Sequence, residues 1–331
     1  MKVAIIYNEP GSGRYQAMGE AKAELGVMDE VRAVSQALVE LNYSSVLVPL
    51  SPPLDSVHKT LAALEADIIF NLFEGFDGSP ETEGQVAAML EARNKPFTGC
   101  PAPALTLGLD KYRTKQLLES AGIQTPKYQI LAAEGITNFH LNFPCIVKPL
   151  AEDASHGISE DSVVNEPAAL TRQLRKICAL FGGRALVEEF IDGREFNTTV
   201  MGTPASGGLT IPAISEIVYT LPPDKPRVLT FDAKWEEDSL YFINTKTVCP
   251  ATITQEEEKE ISRIAKDAFR LTGCRGYARA DFRQDKNGQF VVLEVNPNPD
   301  ITPGSGAALQ AATSGLSYSQ FVEKIIRFAL E

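Results

Sequence analysis

Tyr277-Ala-Arg279-Ala-Asp281-Phe282-Arg283, then Gln284-Asp285-Lys286-Asn287-Gly288, then Phe290-Val-Val-Leu293-Glu294-Val295-Asn296: the rest of the chain is organised around this stretch. Two β-type runs flank Asn287-Gly288, a dipeptide with easy access to positive φ and so a strong hairpin signal. With those two residues as the loop, Asp281 faces Glu294 and Arg279 faces Asn296. Side chains alternate along a strand, so these four share one face. Phe282, Leu293 and Val295 share the other and are expected in a core. Two carboxylates opposed across strands repel each other. A hard divalent cation between them makes the pairing favourable. Two carboxylates with an amide oxygen, and no His or Cys, suit Mg²⁺ and leave room for phosphate oxygens. The alternative is a solvated polar hairpin face in another register.

At 331 residues the chain exceeds what one core usually serves, so two or three lobes are expected. Its composition, 44% hydrophobic and 22% charged, is that of a soluble globular protein. A net charge of −12, with no block of Lys or Arg, argues against nucleic acid or an anionic membrane as partner. The opening Met1-Lys-Val-Ala-Ile-Ile-Tyr7 reads as a buried strand, too short for a signal sequence, and no run is long enough to span a bilayer. Cysteines 100, 145, 178, 249 and 274 lack CxxC spacing, which fits reduced thiols in a cytoplasm and not a zinc site.

The first hundred residues alternate strand and helix. Strands are expected at 2–7, 45–50 and 68–73, and helices at 29–41 and 57–64, which implies an open parallel sheet. Ligands in such sheets sit beyond the carboxyl ends of the strands. Asn8-Glu-Pro-Gly-Ser-Gly13-Arg14 lies there but lacks a full dinucleotide fingerprint. Asn71-Leu-Phe-Glu74-Gly-Phe-Asp77-Gly-Ser-Pro-Glu81-Thr-Glu83-Gly84 also lies there. It is either a capped helix start, with Ser79 or Thr82 ahead of a helix at 85–91, or a site for a substrate ammonium. Four acids near one strand end exceed what a cap needs. Phe97-Thr-Gly-Cys-Pro101 is a breaker and marks a boundary.

Further on, Lys111 opens a helix against the macrodipole, a cost unless it has an anion to bind. Lys148 ends an apolar strand before the small polar loop Glu152-Asp-Ala-Ser155-His156-Gly157, an arrangement like a phosphate cradle. His156 reads as a loop surface residue. Glu188 and Glu189 end an apolar strand that runs into an acidic turn; an edge strand with free backbone groups can read a purine and Glu195 can take ribose hydroxyls, but by spacing alone this would pass as any hairpin. Lys234 and the only tryptophan, Trp235, follow a Pro-rich loop. They either close over a site or sit at the surface.

In order along the chain stand Asp110-Lys111, Phe143-Pro-Cys-Ile-Val-Lys148-Pro149, Val187-Glu188-Glu189-Phe190-Ile191-Asp-Gly-Arg-Glu195-Phe196, Ala233-Lys234, Gly273-Cys-Arg-Gly-Tyr-Ala-Arg279-Ala-Asp281-Phe282 and Leu293-Glu294-Val-Asn296. Together they resemble the D-alanine–D-alanine ligases of the ATP-grasp superfamily. Residues 68–99 and the tail Gly315-Leu-Ser-Tyr318 are similar too, so the resemblance covers most of the chain. Each motif is short and common; the ordered set is highly specific.

The resemblance implies an α/β chain of three lobes. An N-terminal open parallel sheet takes 1–98, and lobes at 99–183 and 184–331 clamp ATP, the last carrying the metal and substrate site. Lys111, Lys148 and Lys234 would contact the phosphates. Glu188, Glu189, Phe190 and Ile191 would line adenine, and Glu195 would hold ribose. Asp281, Glu294 and Asn296 would bind two Mg²⁺, with Mn²⁺ as a substitute. Arg279 would stabilise the developing oxyanion, with Lys234 and Ser155 beside the reacting groups. The implied reaction begins with attack of a carboxylate on the γ-phosphate. An amine then attacks the acyl phosphate, giving an amide, ADP and phosphate. Positioning and charge neutralisation carry such chemistry, so no protein nucleophile is needed. The implied partners are small amino-acid-like molecules, and family members are commonly homodimers.

The chain also departs from the family pattern. The N-terminal Glu-x-x-Ser has no counterpart within 8–30. His-Gly-x-x-Gly-Glu-Asp-Gly becomes Phe73-Glu74-Gly-Phe-Asp77-Gly78. Gly-Ser-Ser-x-Gly becomes Asp153-Ala154-Ser155-His156-Gly157. The Tyr after the loop lysine becomes Trp235, and Ser-Pro-Gly-Met becomes Asn298-Pro-Asp300-Ile301. Ser305 aligns with a residue that holds the second substrate's carboxylate. The expectation is a ligase that keeps nucleotide and metal chemistry but has a rebuilt acyl-donor pocket, in which Glu74, Asp77, Glu81, Glu83 and Asp300 read a larger or more cationic substrate. The alternatives are a D-alanine–D-alanine ligase proper, a phosphotransferase that stops at a phosphorylated product, and a non-catalytic nucleotide-binding protein.

Overall fold

The computed structural model describes residues 1–9, 15, 18–20, 22–76, 78–203 and 208–331. Strands β1 (Lys2–Asn8), β2 (Ser44–Leu50) and β3 (Ile68–Leu72) form a parallel sheet in the order β2-β1-β3. Six successive residues of β1 are buried, as an inner strand covered on both faces requires. The helices Lys22–Glu40 and Leu54–Ala62 connect the strands; the first begins well before the expected residue 29. The next helix, Thr82–Glu91, has neither Ser79 nor Thr82 as its cap. Glu81 holds the N-cap position without a side-chain bond. The Thr82 hydroxyl instead accepts from the Phe76 N–H (2.8 Å) and donates to the Ser79 carbonyl (2.6 Å), pinning the turn after β3.

A four-stranded antiparallel sheet in the order β4-β7-β5-β6 contains β4 (Tyr128–Ala132), β5 (Cys145–Pro149), β6 (Val163–Val164) and β7 (Arg184–Glu189). β7 is therefore an inner strand, with both backbone edges engaged. The free backbone edge expected here for a purine is absent.

The third sheet is antiparallel, in the order β10-β9-β8-β11-β12, from β8 (Glu195–Gly202), β9 (Ile214–Tyr219), β10 (Thr245–Val248), β11 (Gly276–Gln284) and β12 (Phe290–Pro297). The β11–β12 register sets Asp281 opposite Glu294 and Arg279 opposite Asn296. The turn is wider than Asn287-Gly288: Asp285 and Gln289 close it, with Asp285 N–H donating to the Gln289 carbonyl (2.8 Å). A bulge between Asp281 and Phe282 takes up the difference, because Phe282 pairs with Val292 and Leu293 is the extra residue. Two successive side chains of β12 thus fall on one side of the sheet. Leu293 leaves the core expected for it and joins Glu294 on the open face. Phe282 and Val295 are buried, at 0% and 3% exposure.

Two packing contacts tie the sheets to their covering helices. The helices Ala102–Leu109 and Lys111–Ser120 share a core with the five-stranded sheet through Ala104, Leu105 and Leu118. The helix Tyr318–Leu330 lays Phe321, Val322, Ile325 and Ile326 into the core beneath β1 and β3. Gly99, at the breaker, must be glycine: its φ is +89° and an added Cβ would lie 2.4 Å from Asn298 Oδ1.

Candidate active site

One cleft, walled by β5 and β7 on one side and β8, β11 and β12 on the other, collects residues far apart in sequence. Lys111, Lys148, Ser155, Glu188, Glu189, Phe190, Ile191, Glu195, Lys234, Arg279, Asp281, Glu294 and Asn296 all line it.

Its deepest part is an ion triad. Glu188, 1% exposed, accepts from Lys148 Nζ at 2.7 Å and from Lys115 Nζ. Burial alone would raise the Glu188 carboxyl, but the two ammonium groups hold it below its ordinary value. Burial would lower Lys148, yet Glu188 and Glu294 hold it above the usual lysine range. Lys115, buried hardest, is lowered. Glu188 therefore fixes two lysines and does not present its carboxylate to a base. Lys115 has no place in the sequence reading. The available signal was its position four residues after Lys111, one helical turn along the same face.

Glu195, at the start of β8, has its Oε2 held by the Tyr219 hydroxyl (2.7 Å) and by Arg283 Nε (3.0 Å). Arg283 is 3% exposed. It also donates to the Ile191 carbonyl (2.7 Å) and lies 4.9 Å from the Phe190 ring, so it fixes the segment beyond β7. Sequence reasoning passed over Arg283 as well, although it stands two residues from Asp281 on the same strand face.

At the hairpin, Arg279 grips Asp281 through two bonds, Nε–Oδ1 at 2.7 Å and Nη2–Oδ2 at 2.9 Å. Asn296 Nδ2 donates to Asp281 (3.0 Å) and Glu294 (3.3 Å). Burial would raise Glu294, but Lys111, Lys148, Arg279 and Lys234 hold it down to about 2. Lys234 is itself lowered, by burial and then by the like charge of Arg279. The cleft is thus a nest of cations around an acidic hairpin, suited to a polyanion.

Beyond this cleft stands an acidic wall. Glu74 follows β3. Its side chain still meets solvent, yet its carboxyl is pushed up to about 8 as the protein strips hydration from it and Asp300 and Asp153 repel its charge. Burial also pushes up Glu83, with Asp153 and Glu74 adding. Glu30, 4% exposed, accepts from the Ile301 N–H (2.9 Å) and is raised by burial, then by Glu74 and Asp300. Glu30 was not anticipated, although it sits between Val27 and Val34 on the buried stripe of its helix. Asp300 takes the Thr302 N–H (2.7 Å). Ser305 caps the helix Gly306–Thr313 and donates to the Asp300 carbonyl (2.9 Å). Asp77 lies outside the described residues.

The family described as D-ala D-ala ligase C-terminus matches residues 117–327. A D-alanine–D-alanine ligase of Marinomonas sp. (strain MWYL1) is 32% identical over 333 residues, covering 99% of this chain and 95% of that protein. An uncharacterised protein, y4sG, of Sinorhizobium fredii (strain NBRC 101917 / NGR234) is 33% identical over 267 residues, covering 81% of this chain and 76% of its own length. The fold is that of the D-alanine–D-alanine ligase from Bacillus anthracis solved with ATP, at a TM-score of 0.73 and 21% identity over 100% of this chain and 97% of that one. With one parallel and two antiparallel sheets arranged in this way, the chain belongs to the D-alanine–D-alanine ligase family: an ATP-grasp, ATP-dependent ligase that forms a carbon–nitrogen bond.

Proposed function

We propose that this ligase activates a carboxylate with ATP and Mg²⁺ and joins it to an amine, and that one of its substrates carries a cationic group beyond those of D-alanine. The observation that carries the second half is the wall of Glu74, Glu83, Glu30 and Asp300 beside the cleft. In this reading Lys111, Lys148 and Lys234 bind the phosphates. Phe190 and Ile191 hold adenine from beyond β7 with Glu189 beside them, and Glu195 takes ribose. Arg279 neutralises the oxyanion that develops as the amine attacks, and Ser155 orients the first substrate. Ser305, at a helix N-terminus, takes the second substrate's carboxylate. The lobes 1–98, 99–183 and 184–331 remain the proposed division.

The residues present fit the metal. Asp281 and Glu294 offer hard oxygens on one face beside Asn296, and a divalent cation would relieve the opposition of the two carboxylates. Asn296 turns its amide nitrogen to them here; the reverse orientation of the same group offers its oxygen. Mg²⁺, or Mn²⁺ in its place, supplies charge neutralisation at the phosphates when bound. A cytoplasmic setting accords with five free thiols, and no described helix is long and apolar enough to cross a membrane. A homodimer is part of the same reading.

The test is ATP-dependent phosphate release with Mg²⁺ across D- and L-amino acids, basic amino acids and diamines, singly and in pairs. Turnover with a basic substrate, weakened in Glu74→Gln and Asp300→Asn, is expected. Efficient turnover with D-alanine alone, unchanged in both variants, would return the chain to ordinary D-alanine–D-alanine ligation.

A further inference from the structure

His156 is no surface histidine: it is 6% exposed and joins three parts of the chain. Its ring stacks on Tyr15 at 3.9 Å and 13°. Its Nδ1 lies 2.7 Å from Glu20 Oε2, so this nitrogen carries the proton that the carboxylate accepts. Phe231, three residues before Lys234, lies 5.5 Å away. The same partners grip the flanking turn. Glu20 accepts from the Gly157 N–H (3.3 Å), and the Tyr15 hydroxyl donates to Glu152. Trp235 donates to the Ala154 carbonyl (3.3 Å), and its ring lies against Gly26 of the first helix.

The turn so held is strained. Ala154 and Ser155 stand at φ +49° and +63°, where residues with a Cβ are uncommon. Such a conformation persists only where the surroundings over-determine it. The same turn carries Ser155 and receives the Lys111 ammonium at the Glu152 carbonyl. Its shape therefore decides where two cleft residues point.

We propose that His156 is a positioning residue: held by Glu20 and Tyr15, it keeps the 152–157 turn and the Lys234 helix in register, so that Lys111, Ser155 and Lys234 converge on the terminal phosphates. The inference rests on the reading of the cleft as the ATP site.

Trp235, the only tryptophan in the chain, reports on this clasp directly. Binding of AMP and of a non-hydrolysable ATP analogue with Mg²⁺ is measured in the wild type, His156→Ala, Glu20→Ala and the double variant, together with acrylamide quenching of Trp235. Both single variants are expected to bind AMP as the wild type does, to lose about tenfold of the preference for the analogue over AMP, and to expose Trp235. The double variant is expected to be no worse than the poorer single one, as two parts of one device require. Glu20→Ala carries the test if His156→Ala does not fold. An unchanged preference and a shielded Trp235 would overturn the inference. So would a parallel loss of AMP binding, which marks a merely structural role. A wild type that binds neither nucleotide would overturn the reading of the cleft itself, and the inference with it.

Discussion

The β11–β12 hairpin and the acidic wall both present carboxylates to the centre of the molecule, and they are built in opposite ways. In the hairpin, Asp281 and Glu294 are opposed by the ladder of two strands joined through one turn. Nothing outside that unit is needed to bring them together. In the wall, Glu30 comes from the first helix, Glu74 from the end of β3 and Asp300 from the loop after β12. Only the packing of the whole chain makes them neighbours. Groups set by local register hold their geometry while surrounding loops change. Groups set by long-range packing can be exchanged one at a time. In the proposed reading the reaction is housed in the first and the selectivity in the second.

The hairpin is where the largest effect is expected. Glu294→Gln or Asp281→Asn should lower phosphate release by about 10³-fold, measured at a temperature where both variants remain folded. A loss under tenfold would remove the hairpin from the chemistry. Next comes Lys115→Met, which leaves the buried Glu188 with Lys148 alone. About 1.5–3 kcal/mol of stability should be lost with one of the two charge-assisted bonds to Glu188, read by denaturant unfolding; an unchanged midpoint would mean that the triad adds nothing as a unit.

A smaller effect separates the wall from the hairpin by pH. Glu74 keeps its proton to about 8. It gains charge as pH rises through that value, and affinity for a diamine should tighten about fivefold between pH 7 and 9, an effect absent in Glu74→Gln. The folded chain holds this proton where the unfolded chain has lost it, so Glu74 makes stability fall as pH rises from the ordinary carboxyl range toward 8. A flat profile in the wild type would detach Glu74 from the wall. Smallest is Leu293→Ala, expected to raise the KM for ATP about threefold by removing apolar surface from the cleft.

Legibility in the sequence divides along the same line. The parallel sheet, the Asp281–Glu294 opposition and the strand ending at Lys148 were legible because each is a matter of local spacing and pattern. The width of the turn was not: a bulge at Leu293 restored a register that a two-residue loop would also have given, so the correct pairing concealed a different backbone. Lys115 and Arg283 were missed because their partners, Glu188 and Glu195, lie about seventy to ninety positions away. His156 was misplaced for a related reason. Its burial is supplied by Tyr15 and Glu20, and nothing beside it in the chain announces them.

The helix Tyr318–Leu330 covers the underside of β1 and β3. A ribosome making this chain delivers those strands before both antiparallel sheets and their cover after them. The first sheet must therefore wait with Val3, Ile5, Phe70 and Leu72 covered only in part, by Val27, Val31, Val34 and Leu38 of the helix Lys22–Glu40, while the two antiparallel sheets are synthesised and fold. Chaperone demand during synthesis should centre on the parallel sheet, and a frameshift within the helix Tyr318–Leu330 would be felt as failure of a segment translated long before it.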